Sequence, residues 1–178
     1  MLIRILESVA VVAAALFLWP LALLFITKLR VRRDFDYGMR VLAKHAIVCA
    51  RKEQSVELDS SPASIERVES ILSDLHNHHV QTPFPDRELS RLTLRWGAYI
   101  GEVMKRVRPG KWRRDSEKAG AGAMPFIFDG SSEAFPCSWV YKRIADGPDD
   151  NVLFKFQIFS DSRFHETVAS GPRLPKLH

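Results

Sequence analysis

Cysteine is scarce in this sequence: Cys49 and Cys137 are the only two in 178 residues. Two thiols so far apart cannot build the disulfide framework of a small secreted domain, and without a C-x-x-C pair they make no thiol-ligated zinc site. Both fall in segments that read as buried helix, so they are expected as reduced thiols packed as small apolar groups, with a single bridge as the competing arrangement. Catalytic signatures are missing as well. There is no G-x-S-x-G, no glycine-rich phosphate loop ending in Lys-Ser or Lys-Thr, and no H-E-x-x-H. The usual sequence marks of a serine hydrolase, a nucleotide hydrolase and a zinc peptidase are therefore lacking, and the chain is expected not to be an enzyme. No internal repeat is present, which sets aside solenoid and propeller architectures.

What is abundant is apolar and basic. The chain is 46% hydrophobic and 26% charged, a globular composition, yet its mean hydropathy of -0.11 averages a greasy start with a polar remainder. From Ser8 to Thr27 the run SVAVVAAALFLWPLALLFIT carries no formal charge. At about 1.5 Å rise per residue it reaches roughly 30 Å, the thickness of a bilayer's hydrocarbon core. It lacks the short apolar stretch and small-residue cleavage site of a secretory signal, so it reads as a retained transmembrane helix in which Pro20 is tolerated. Lys28, Arg30, Arg32 and Arg33 follow at once, whereas Arg4 and the amino terminus precede it and Glu7 partly offsets them. That asymmetry puts the remainder of the chain on the cytoplasmic side. The net charge of +5 and isoelectric point near 9.4 are then first a topology signal, and nucleic acid is not the expected partner.

Downstream, Phe35, Met39, Leu42, Ala46 and Cys49 form an amphipathic stripe that can run on from the anchor, and residues 52–61 are a polar loop. Ser61 and Pro62 read as the start of a second helix with Ile65, Val68, Leu72 and Leu75 on its buried face. Residues 76–86 break the pattern, and Asp86 is placed to cap a third helix. That helix aligns Leu89, Leu92, Trp96, Tyr99, Ile100, Val103 and Val107 and stops at Arg108-Pro109-Gly110. Gly97 and Gly101 lie four apart within it. Each costs about 1 kcal/mol relative to alanine, so another element is expected to approach closely there. Residues 111–115 read as a short strand, 117–123 as a turn region and 124–130 as a strand closing in a turn. Phe135-Pro136 opens a helix through Trp139, Val140 and Ile144, and residues 149–159 suit helix better than strand because Asp149 and Asp150 favour a helix start.

Within residues 94–159, three features carry a resemblance. They are Trp96-Gly97-Ala98-Tyr99-Ile100-Gly101-Glu102 on a helix, Trp112 after a Pro-Gly break, and Phe135-Pro136 followed by Lys142-Arg143 and Gly147-Pro148-Asp149. In these the segment resembles a bacterial family of uncharacterised domains, a domain-of-unknown-function group. Arg113 and Arg114 depart from the acidic, Val-rich strand that the family often has after the tryptophan. The resemblance implies a small α+β domain and transfers no catalytic residue.

Four constellations remain as candidate sites. Glu102, on an apolar helix face, is expected in a structural ion pair with Lys142, Arg143 or Arg106, or else as an acid in a pocket. Lys105, Arg106, Arg108, Lys111, Arg113 and Arg114, together with Lys28, Arg30, Arg32 and Arg33, are candidate contacts to lipid headgroups. Trp96, Tyr99, Trp112 and Trp139 are candidates for a docking face. His76, His78 and His79 are expected to serve a helix end rather than a metal, and no metal or cofactor is expected.

The expectation from sequence is therefore an α+β chain: a transmembrane anchor with a basic flank in residues 1–33, a cytoplasmic domain of three or four helices on a short antiparallel sheet in 34–160, and a loose tail in 161–178. Its expected role is that of a non-catalytic accessory or interaction protein at a bacterial inner membrane, with a protein partner in or beside the bilayer. An immunity-type protein that neutralises a toxin and a small ligand-binding or enzymatic domain around Glu102 are the other classes.

Overall fold

The computed structural model describes residues 34–161. The run 8–27, the basic flank Lys28, Arg30, Arg32 and Arg33, and the tail 162–178 lie outside the described residues. Among the described residues no helix is long and apolar enough to cross a membrane. The chain divides into two compact units, Met1–Gly38 and Met39–His178. Of the first unit, only Asp34–Gly38 is described. There the Asp34 carboxylate accepts a hydrogen bond from the Tyr37 N–H at 3.0 Å and starts a helix.

That helix, α1 (Phe35–Gln54), buries Met39, Ala43, Ala46, Cys49 and Ala50. Leu42, expected in the stripe, is only half-buried, because Ala43 one residue on faces the core. The second helix, α2 (Ser64–Gln81), buries Ile65, Val68, Ile71 and Leu72. It begins later than the Ser61-Pro62 signal predicts. Asp59 accepts from both Ser61 N–H and Ser61 Oγ, and the Ser61 carbonyl accepts from Ser64, so Ser61 closes a tight turn and does not cap the helix. The helix also continues through His76–His79 to Gln81, past the point where the pattern fades.

The third helix, α3 (Asp86–Val107), is the long central element. Asp86 does not cap it. Pro85 occupies the cap position with no side-chain bond, and its carbonyl accepts from Glu88 and Leu89 N–H. Ion pairs tie α1 to α3 at Arg40–Glu102 (3.8 Å) and Glu53–Arg95 (3.5 Å). Residue number rises along one helix as it falls along the other, so the two run antiparallel.

Three short strands follow: β1 (Gly110–Trp112), β2 (Phe126–Phe128) and β3 (Ser132–Ala134), paired antiparallel in the order β1-β2-β3. Trp112 pairs with Phe126, and Phe126 with Ala134. Asp129 and Gly130 turn the second hairpin with positive φ values of 49° and 81°. β3 has no counterpart in the expectations above. Ser132-Glu133-Ala134 carries no apolar alternation and is a strand only because it hydrogen-bonds β2. Helices α4 (Pro136–Ala145) and α5 (Val152–Ser160) complete the domain, joined by a 3-10 turn at Pro148–Asp150. Asn151 caps α5 by accepting from Phe154 N–H at 2.8 Å, in place of Asp149 or Asp150.

The domain is thus α+β, with helices packed on a three-stranded antiparallel sheet. All three residues of β2 are buried, and Phe128 meets Phe159 of α5 edge-on with ring centroids 4.7 Å apart. At Gly97 a side chain would strike the Cys137 backbone, and at Gly101 it would strike the Trp112 ring. The two glycines let α4 and β1 settle against α3.

Candidate functional site

Glu102 sits half-buried on α3, and its neighbours define a cleft. Lys105, one turn on, reaches its Oε1 at 2.7 Å, and Arg40 of α1 stands 3.8 Å from Oε2. Lys142 is exposed and Arg143 is buried elsewhere, so the expected pairing of Glu102 with either does not form. The reason is geometric. Arg143 faces α2, where its Nε donates to Glu69 Oε1 at 2.6 Å, and the other oxygen of Glu69 accepts the Val152 N–H at 2.8 Å. One carboxylate thereby joins α2, α4 and the first turn of α5.

The cleft between α1 and α3 has a volume of about 220 Å³. Arg40 and Lys44 project into it from α1, and Glu102 and Arg106 from α3. Each pair is spaced i, i+4, so each helix presents two charges on one face. Ser60 closes one side from the loop before α2. Its φ of +59° is held by a relay: Ser60 N–H donates to Tyr99 Oη at 3.0 Å, and Tyr99 Oη lies 2.6 Å from Ser64 Oγ. Ser64 Oγ in turn donates to the Ser61 carbonyl at 2.6 Å. A carbonyl only accepts, so the serine's one proton is committed there and the tyrosine must be the donor to Ser64. Tyr99, fully buried, thus fixes the cleft wall from inside.

Three cations and one carboxylate line the cleft: Lys105 and Arg40 both face the carboxylate, whereas Lys44 and Arg106 pair with no carboxylate among the described residues. Asp59 nearby is committed to Ser61 and, at 3.3 Å, to Arg67; the Ser61 hydrogen bonds and then the Arg67 charge hold its carboxyl below the usual range. Arg106 makes one long hydrogen bond, 3.4 Å to the Asp59 carbonyl.

The other candidates are scattered. Trp96, Tyr99 and Trp112 are 1%, 1% and 3% exposed and belong to the core, so they form no docking face. Their size favours burial wherever the fold can cover them. Trp139 is half-buried beside a depression of about 530 Å³ that Lys142 and Lys155 also line. Two members of the basic run 105–114 are engaged within the domain. Lys105 turns to Glu102, while Arg108 pairs with Asp129 and lies over the Phe128 ring at 5.2 Å. Arg106, Lys111, Arg113 and Arg114 are exposed.

The histidines hold the end of α2. His76 Nδ1 is 2.9 Å from the Ile144 carbonyl, His79 Nδ1 accepts from Phe84 N–H at 2.9 Å, and the rings of His78 and His79 pack on Phe84. Among the described residues no group of His, Cys, Asp and Glu is arranged to hold a metal ion. Cys49 and Cys137 are free buried thiols, and burial pushes Cys137 up to about 12.

Arg40 and Lys44 are absent from the sequence-based candidates, although their signal was available. They lie four apart on α1, each one residue after a member of the buried Met39-Ala43 stripe, at its edge. No family model matches the chain, and neither a curated protein nor a solved structure matches it.

Proposed function

We propose that this chain is a non-catalytic, single-pass membrane protein whose α+β domain stands at the cytoplasmic face of a bacterial inner membrane and binds a protein partner there. The observation that carries the reading is the uncharged run from Ser8 to Thr27 closed by Lys28, Arg30, Arg32 and Arg33. Such a run finds its lowest free energy in lipid, and the basic end is retained on the cytoplasmic side. The described domain fits the role of cargo on an anchor, because α1 starts directly after the basic flank. With Trp96, Tyr99 and Trp112 in the core, the large apolar side chains exposed for a partner among the described residues are Val48, Val80, Tyr141 and Phe154.

Topology is tested by a new thiol, since both native cysteines are buried. Ala121 is exposed on the loop between β1 and β2. In Ala121→Cys cells, a membrane-impermeant maleimide should label the protein only after the inner membrane is opened. Labelling of intact cells would overturn the orientation. Purification of the full chain in mild detergent should bring down a stoichiometric membrane partner, and a chain that purifies alone as a monomer would remove the accessory role.

A further inference from the structure

We propose that the cleft between α1 and α3 binds a phosphomonoester-type anion, free in solution or carried on a lipid headgroup. This goes beyond the anchor and partner reading, because it concerns a site within the domain. Basic side chains line the cleft from two helices, Arg40 and Lys44 from α1 and Arg106 from α3, and Ser60 of the loop closes its side. Lys44 makes no hydrogen bond or ion pair with any described residue, and Arg106 spends one guanidinium N–H on a long bond to a carbonyl. Lys44 and Arg106 thus bring to the cleft two charges that pair with no carboxylate among the described residues, which favours an anion of more than one charge.

Geometry selects the class. A tetrahedral phosphate accepts hydrogen bonds from several sides at once and suits guanidinium groups, whereas a planar carboxylate offers two oxygens along one edge. Glu102 at the cleft wall is compensated by Lys105 at 2.7 Å, so its own charge is offset within the protein. A volume of about 220 Å³ falls below the roughly 300–1,000 Å³ of sites for drug-sized molecules and limits the occupant to a small anionic group. The wall does not need to reorganise, since the Tyr99 relay already fixes Ser60.

The test uses the full chain in phosphatidylcholine nanodiscs, with melting temperature as the readout. Inorganic phosphate is titrated at constant ionic strength, and in a separate arm phosphatidic acid replaces part of the phosphatidylcholine. Stabilisation by inorganic phosphate identifies the free anion as ligand, and stabilisation by phosphatidic acid alone identifies the headgroup. In either case Lys44→Ala with Arg106→Ala should weaken the response by about tenfold or more, while Lys111→Ala with Arg113→Ala, which removes equal charge elsewhere, should leave it within about twofold. Absence of stabilisation in both arms, or equal loss in the two double variants, overturns the proposal. The inorganic phosphate arm can be repeated in detergent, so a failure of the cleft and a failure of the anchor reading are told apart.

Discussion

Replacing Gly97 by alanine sets two effects against each other, and the structure decides the sign. In the middle of α3, alanine is favoured over glycine by about 1 kcal/mol on helix propensity alone. A Cβ at Gly97, however, falls 2.6 Å from Cys137 Sγ, 2.7 Å from its Cα and 2.9 Å from its backbone nitrogen. The sulfur can rotate away. The backbone cannot, because Pro136 and Cys137 form the buried first turn of α4. Forcing a methyl group into packed structure costs about 1–3 kcal/mol, and contact with backbone places this case in the upper part of that range. After the propensity gain, Gly97→Ala should lose about 1–2 kcal/mol, a fall in melting temperature of roughly 4–8 °C for a domain of this size. Tryptophan fluorescence during heating of the detergent-solubilised chain reads it. Cys137→Ala should not rescue the variant, because the obstructing backbone remains. Gly101→Ala meets the Trp112 side chain and should be partly rescued by Trp112→Phe. A Gly97→Ala protein as stable as the parent, or restored by Cys137→Ala, would refute the argument.

Removing Glu69 strands a guanidinium that is 4% exposed, so Glu69→Leu should destabilise by about 3–5 kcal/mol, and adding Arg143→Met should recover part of the loss. A purely additive double variant in a melting experiment would show that the pair is not coupled. Tyr99→Phe leaves the Ser60 N–H without its acceptor and Ser64 Oγ without its donor, a cost of about 1–3 kcal/mol by thermal melting. An unchanged melting temperature would mean that water replaces the hydroxyl. Burial lifts the Cys137 thiol from 9.0 to about 12. Above pH 9 the unfolded chain gives up this proton while the folded chain keeps it, so stability falls between pH 9 and 12, on the order of 1 kcal/mol per unit. Cys137→Ala should flatten that alkaline decline, and superimposable pH profiles for variant and parent would count against it.

The sequence by itself determined those features that depend on one stretch of chain. The 3.6-residue stripes gave the helices, the Pro-Gly and Gly-Pro breaks gave their ends, and Gly97 and Gly101 announced a close approach before its partners were known. Burial of Cys49 and Cys137 followed from the same periodicity. Caps were less legible, because Ser61 and Asp86 have the right side chains at the right spacing while the turns beside them use other atoms. β3 left no local trace at all, since its backbone bonds exist only once β2 lies alongside. Tertiary structure alone decided which charges meet. Glu69 and Arg143 are 74 residues apart, and Glu102 is answered by Arg40 of a different helix. It also withdrew Trp96, Tyr99 and Trp112 from the surface and set Arg40, Lys44 and Arg106 around one cleft. The physical reason is that periodicity records which side of an element avoids water, whereas the pairing of side chains depends on how those sides dock.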